Sequence, residues 1–139
     1  MISVLKKRRS RRGATVVEFA LVAPLLFLTL VTTIEVARAL MTTHSMEEAA
    51  RSGCRVALLR GATTSQVEQE VDTILRPVGI STYTVQLQPM NPASAPRWSP
   101  LTVTVTATFD DMSWLPLLSF FNGKTYTATC TLPKEYSTD

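Results

Sequence analysis

Twenty-one consecutive residues, Ala14 to Ile34 (ATVVEFALVAPLLFLTLVTTI), carry one charge, Glu18. As a helix rising about 1.5 Å per residue, this stretch spans roughly 31 Å, about the hydrocarbon thickness of a bilayer. Directly before it, Lys6, Lys7, Arg8, Arg9, Arg11 and Arg12 supply six of the chain's 14 basic residues with no acidic residue among them. A basic cluster alone is usually a solvated tail, and an apolar run alone can be a core helix. In this order at an N-terminus they direct a chain to a membrane. The positive-inside bias predicts a cytoplasmic N-terminus and a C-terminal part sent across. An ordinary cleaved signal fits poorly, because its apolar region is normally about 7–15 residues long. The small-x-small string Ala37-Arg38-Ala39 also carries charge and continues the helical pattern.

Charge is unevenly divided. The net charge of +3 resides in the leader; beyond Arg12, eight basic residues face 11 acidic ones. A nucleic-acid binder would spread basic residues over a folded face, so that class is disfavoured.

The helical pattern continues past the membrane segment. From Glu35 to Arg60 there is no proline and only one glycine, Gly53. Glu47 and Arg51 are spaced for an i,i+4 pair and Glu35 and Arg38 for an i,i+3 pair. Met46, Ala49, Ala50, Gly53, Cys54, Val56 and Ala57 share one broad stripe of mostly small residues, over which another layer can approach closely. Gly61 is a natural residue just past a helix end. We therefore expect one helix over about 14–60, apolar all round and then amphipathic, with Pro24 removing one hydrogen bond and kinking the membrane half.

A second helix is signed by Ser65 and Glu68 in capping-box spacing. Val67, Val71, Ile74 and Leu75 mark its apolar face, and Pro77 with Gly79 ends it. The period then changes to two. Tyr83, Val85 and Leu87 alternate with polar residues, as do Leu101, Val103, Val105, Ala107 and Phe109, and again Tyr126, Ala128, Cys130 and Leu132. Such strands predict an antiparallel sheet of three or four strands with one wet face. Its dry face needs a cover, and the small-residue stripe is available. The linker Pro89–Pro100, with four prolines, reads as an exposed loop. The fold class is α+β.

No phosphate loop, dinucleotide fingerprint or zinc spacing is present. His44, the only histidine, reads as structural or solvated. Asp110 and Asp111 are adjacent, so in a strand they point to opposite faces, and a turn or a solubilised strand end is the simpler reading. We expect no enzyme, no catalytic residue, no metal, no cofactor, no nucleic-acid partner and no small-molecule substrate. Cys54 lies on the stripe expected beneath the sheet and Cys130 on the inward face of the last strand. Outside the cytoplasm they suit a disulfide; otherwise they are two buried thiols. The apolar segment Trp114–Phe121 reads as a short core helix or as an exposed patch for a partner.

Glu18 is costly for a plain anchor, by about 2.5–3.5 kcal/mol at a bilayer centre and less near an end. The run Arg11-Arg12-Gly13-Ala14-Thr15-Val16-Val17-Glu18-Phe19 resembles the processing site of type IV prepilins of the Tad/Flp class, G-x-x-x-x-E-[YF]. Residues 8–61, with Glu35-Val36-Ala37-Arg38 and EEAARSGCRVAL, resemble the TadE-like minor pilins or pseudopilins, and the ending FFNGKTYTATCTLPKE shares the family's look.

The resemblance implies a type IV pilin-like fold and a division into a 1–13 leader, a 14–34 transmembrane helix, its amphipathic continuation over 35–61 and a 62–139 extracytoplasmic α+β domain. It implies cleavage between Gly13 and Ala14 by a prepilin peptidase. It also implies that Glu18 pairs with the freed α-amino group of a neighbouring subunit, with Phe19 in place of the commoner tyrosine. Expected partners are the inner membrane, the peptidase and other pilins or pseudopilins of one filament. The alternative keeps the anchor and drops the pilus: a single-pass inner-membrane protein whose outer domain binds a ligand or an envelope partner.

Overall fold

The computed structural model describes residues 12–108 and 125–135. Phe109, Asp110, Asp111 and the Trp114–Phe121 segment lie outside the described residues. The elements run α1 (Arg12–Ala57), α2 (Thr64–Leu75), β1 (Tyr83–Gln88), β2 (Pro100–Thr108) and β3 (Thr125–Pro133). This is the α+β arrangement expected. The chain divides into two compact units, Met1–Ile34 and Glu35–Asp139, with α1 passing through the boundary.

In the first unit the described residues are helical, and the helix continues past Pro24 as one element. Nearly every apolar side chain there is exposed, including Phe19 at 69% and Leu21 at 75%. An apolar surface on all sides suits a helix whose solvent is lipid. The hydroxyls of Thr29, Thr32 and Thr33 donate back to the carbonyls of Leu26, Leu28 and Thr29, each at 2.8 Å. Their polarity is thus satisfied within the helix, as an apolar medium requires.

The second unit is a helix-covered sheet. Its three strands are antiparallel in the order β1-β2-β3. Val85 faces Val105 across one ladder, and Val103 faces Cys130 across the other. Burial alternates along β2, with Leu101, Val103, Val105 and Ala107 inward. The outward face is threonine-rich, and Thr102–Thr131, Thr104–Thr129 and Thr106–Thr127 meet through their hydroxyls at 2.9–3.5 Å. Cross-strand pairs of this kind support the ladder without charge.

The inward face packs on the predicted stripe. Met46, Ala49, Ala50, Cys54 and Ala57 form one buried cluster with Val67, Val71 and Leu75 of α2 and the inward residues of the strands. Gly53 lies at the three-way junction. A Cβ there would stand 3.2 Å from Val67 Cγ1, 3.2 Å from Val71 Cγ2 and 3.5 Å from Val103 Cγ1. Its missing side chain lets α1, α2 and β2 converge.

Several expectations shift. The capping box is built by Thr63 and Gln66 in place of Ser65 and Glu68. Gln66 N donates to the Thr63 hydroxyl at 3.3 Å, and Thr63 N donates to Gln66 Oε1 at 3.0 Å. Both pairs satisfy the same sequence pattern, and the earlier one wins by starting α2 two residues sooner. Helix α1 ends at Ala57, before Gly61, through tightened bonds such as Leu59 N to Val56 O at 3.0 Å. Gly61 still supplies the left-handed turn, with φ of 71°.

The Pro89–Pro100 linker is more than an exposed loop. It holds a 3-10 turn over Pro92–Ser94, and Pro92 and Ala95 are buried. The buried ammonium of Lys134 binds that turn, donating to the carbonyls of Pro92, Ala93 and Ala95 at 2.9, 3.0 and 3.1 Å. Trp98 N donates to Lys134 O at 2.7 Å, which pins an exposed tryptophan at φ of 65°. Three N–H bonds match the three donors of an ammonium, so the charge is solvated by backbone in place of water.

Candidate assembly helix

The expected processing residues occupy the start of α1. Gly13 and Ala14 fall in its first turn, and Gly13 has nothing within 4 Å of where a Cβ would stand.

Ala14 and Glu18 are spaced i,i+4, and their side chains fall on one face of α1. Both are exposed, as is Phe19. The helix thus presents a carboxylate one turn beyond the residue that would carry a new α-amino group, on an apolar, unpacked surface.

The second half of α1 differs in kind. Arg51 and Glu47 form the predicted pair at 3.1 Å. Glu35 does not pair with Arg38: Glu35 is buried at 4% exposure with Oε1 lacking any hydrogen-bond partner, while Arg38 is exposed. Spacing permitted that pair, but burial separates the two groups. His44 is exposed. Two tyrosines fasten the edges of the sheet: Tyr83 donates to Asp72 of α2 at 2.8 Å, and Tyr126 donates to Glu47 of α1 at 3.4 Å. Burial, followed by the Asp72 carboxylate that accepts its bond, pushes the Tyr83 hydroxyl up to about 12.

Both cysteines reach the core as predicted. Cys54 Sγ lies 3.6 Å from Leu101 O and 3.5 Å from Cys130 O, and both residues carry free thiols. Burial first, and then the adjoining Cys130 thiol, push Cys54 up to about 12. Among the described residues no group of three or more His, Cys, Asp or Glu side chains is gathered to hold a metal ion. Among the described residues, one cleft lies between Thr64, Met90 and the β1 edge.

Sequence reasoning missed Lys134, its carbonyl cage and the strained Trp98. No local signal marks them, because the lysine's partners are backbone carbonyls some 40 residues away.

The family model of TadE-like proteins matches residues 13–55, the stretch that carries the resemblance. The match begins at Gly13 and ends one residue past Cys54, so it covers the exposed apolar half of α1 and most of the packed half. Comparison with curated proteins and with solved structures gives no match. The chain thus joins an N-terminal helix similar to the TadE-like model, long and apolar enough to cross a membrane once, to a small α+β unit.

Proposed function

We propose that this chain is a pseudopilin or minor pilin of a Tad-type pilus, cut after Gly13 by a prepilin peptidase and working by helix packing, not catalysis. The observation that carries this reading is the division of α1. Its first half exposes an apolar surface interrupted by Glu18, while its second half is consumed in holding the sheet. A helix that only anchored a domain would gain nothing from a carboxylate near its start, since lipid penalises it. A subunit whose neighbour presents an α-amino group gains a partner for that charge.

In this reading the N-terminus is cytoplasmic, the helix is stored in the inner membrane and the α+β unit lies outside the cytoplasm. The TadE-like match supports the pilus association, and the basic leader supports the orientation.

Sequencing the N-terminus of the protein recovered from membranes tests it. A start at Ala14 is expected, and Gly13→Ala should reduce processing. Glu18→Ala should leave processing largely intact and lower pilus output; normal output from that strain would sink the assembly role. An intact Met1 would favour the plain anchor with a partner-binding outer unit.

A further inference from the structure

Cys54 and Cys130 are 76 residues apart in sequence and meet in the core. Cys54 is fully buried and sits against the backbone of two neighbouring strands through Leu101 O and Cys130 O. The Cys130 thiol adjoins it closely enough to raise the Cys54 thiol, and Cys130 itself is half-buried. We propose that these two thiols are a modification site, joined as an intramolecular disulfide that ties α1 to β3 once the unit stands in an oxidising compartment.

Two S–H bonds break and one S–S bond forms. The two protons and two electrons pass to the disulfide of a thiol–disulfide oxidoreductase, or of oxidised glutathione, which is reduced to a pair of thiols. The half-buried Cys130 is the sulfur an oxidant reaches first. It forms the mixed disulfide; Cys54 then attacks the Cys130 sulfur and expels the oxidant's thiolate.

The order of events follows from burial. With its thiol pushed up to about 12 from 9.0, Cys54 is a poor attacker in the packed unit. The thiolate fraction falls about a thousandfold, and greater intrinsic nucleophilicity recovers roughly twentyfold, a net slowing of some tens-fold. The bond therefore closes while the unit folds, before α1 is seated on the sheet.

The oxidising compartment rests on the extracytoplasmic placement proposed above, so the test has two arms. In the first, purified full-length protein in detergent is reduced, then exposed to oxidised glutathione either folded or during refolding from urea. A Cys54–Cys130 linked peptide is expected in both, forming some tens-fold more slowly from the folded state. Mixed disulfides or intermolecular dimers in its place overturn the pairing, and equal rates overturn the order. In the second, cells are denatured and alkylated without reductant, and the intact mass is read. A species two hydrogens lighter than the dithiol, unalkylated, is expected, and Cys54→Ser or Cys130→Ser should each leave one alkylated thiol. Pairing in the first arm with alkylated thiols in cells overturns the proposal for the living cell. It counts against extracytoplasmic placement and leaves cleavage at Gly13 to its own test.

Discussion

The two halves of α1 share one backbone geometry and almost nothing else. Over Ala14–Ile34 the helix is built from large apolar residues, nearly all exposed. Over Met46–Ala57 its buried stripe is mostly Ala, Gly and Cys, with Met46 at its start. In water this inverts the usual rule that large apolar residues go inside. The inversion disappears when lipid is the solvent of the first half. There, large side chains fill the hydrocarbon layer and need no partner from their own chain. In the second half, small side chains let a sheet and a second helix approach, and their burial holds the unit together.

The comparison breaks most severely if the unit's stability does not depend on its backbone-solvated lysine. Lys134→Met keeps the apolar stem and removes the ammonium, leaving the carbonyls of Pro92, Ala93 and Ala95 without that donor. A loss of roughly 3 kcal/mol is expected from the lost charge-assisted bonds. Urea unfolding of the full-length protein in detergent, followed by tryptophan fluorescence, would read it. A midpoint unchanged from wild type would mean the cage holds nothing in place.

Gly53→Leu comes next and sharpens the contrast directly. The added side chain enters a space where even a Cβ stands 3.2 Å from two valines, so a cost of about 2–3 kcal/mol is expected from overpacking. The matched change in the other half, Leu21→Ala, should leave the same unfolding midpoint untouched, because Leu21 is 75% exposed. Equal effects of the two substitutions would erase the distinction between a lipid-facing half and a packed half.

The same contrast explains what was legible in the sequence. The long helix, the strands and the inward faces follow from periodicity, which is local and is set by the solvent each face meets. The proposed roles of Gly13 and Glu18 rest on a linear string at a fixed distance from a basic cluster, which needs no fold to be read. The capping box was misplaced by two residues because Thr63-x-x-Gln66 and Ser65-x-x-Glu68 are the same pattern, and only the packed position of α2 chooses between them. Glu35 and Arg38 had correct spacing, yet a long-range burial decided their fate. Lys134 was invisible because backbone carbonyls, which every residue has, are its partners.

Helix capping is a smaller effect that tests the corrected register. Thr63→Ala removes the hydroxyl that accepts from Gln66 N and should cost about 1 kcal/mol, whereas Ser65→Ala should cost much less. Thermal unfolding of the two variants side by side decides it, and the reverse ranking would restore the later capping box.

The smallest effect concerns pH and the edge of the sheet. Tyr83 titrates near 10.0 when unpacked and is pushed up to about 12 in the fold, by burial and by the Asp72 carboxylate. For an acid whose folded value is raised, the neutral hydroxyl is the form the fold prefers. Its contribution is therefore complete below pH 10 and is lost as the pH climbs from about 10 toward 12. Part of the alkaline loss of wild-type stability should vanish in Tyr83→Phe, which cannot ionise but also lacks the bond to Asp72. Its stability below pH 10 should be lower than wild type by only about 1 kcal/mol, the net worth of one side-chain hydrogen bond. Cys54 titrates in the same window, so both proteins are best compared in a Cys54→Ser background. Identical alkaline slopes there would show that the β1 edge opens before Tyr83 ionises, and that the fastening of sheet to α2 is looser than the fastening of sheet to α1.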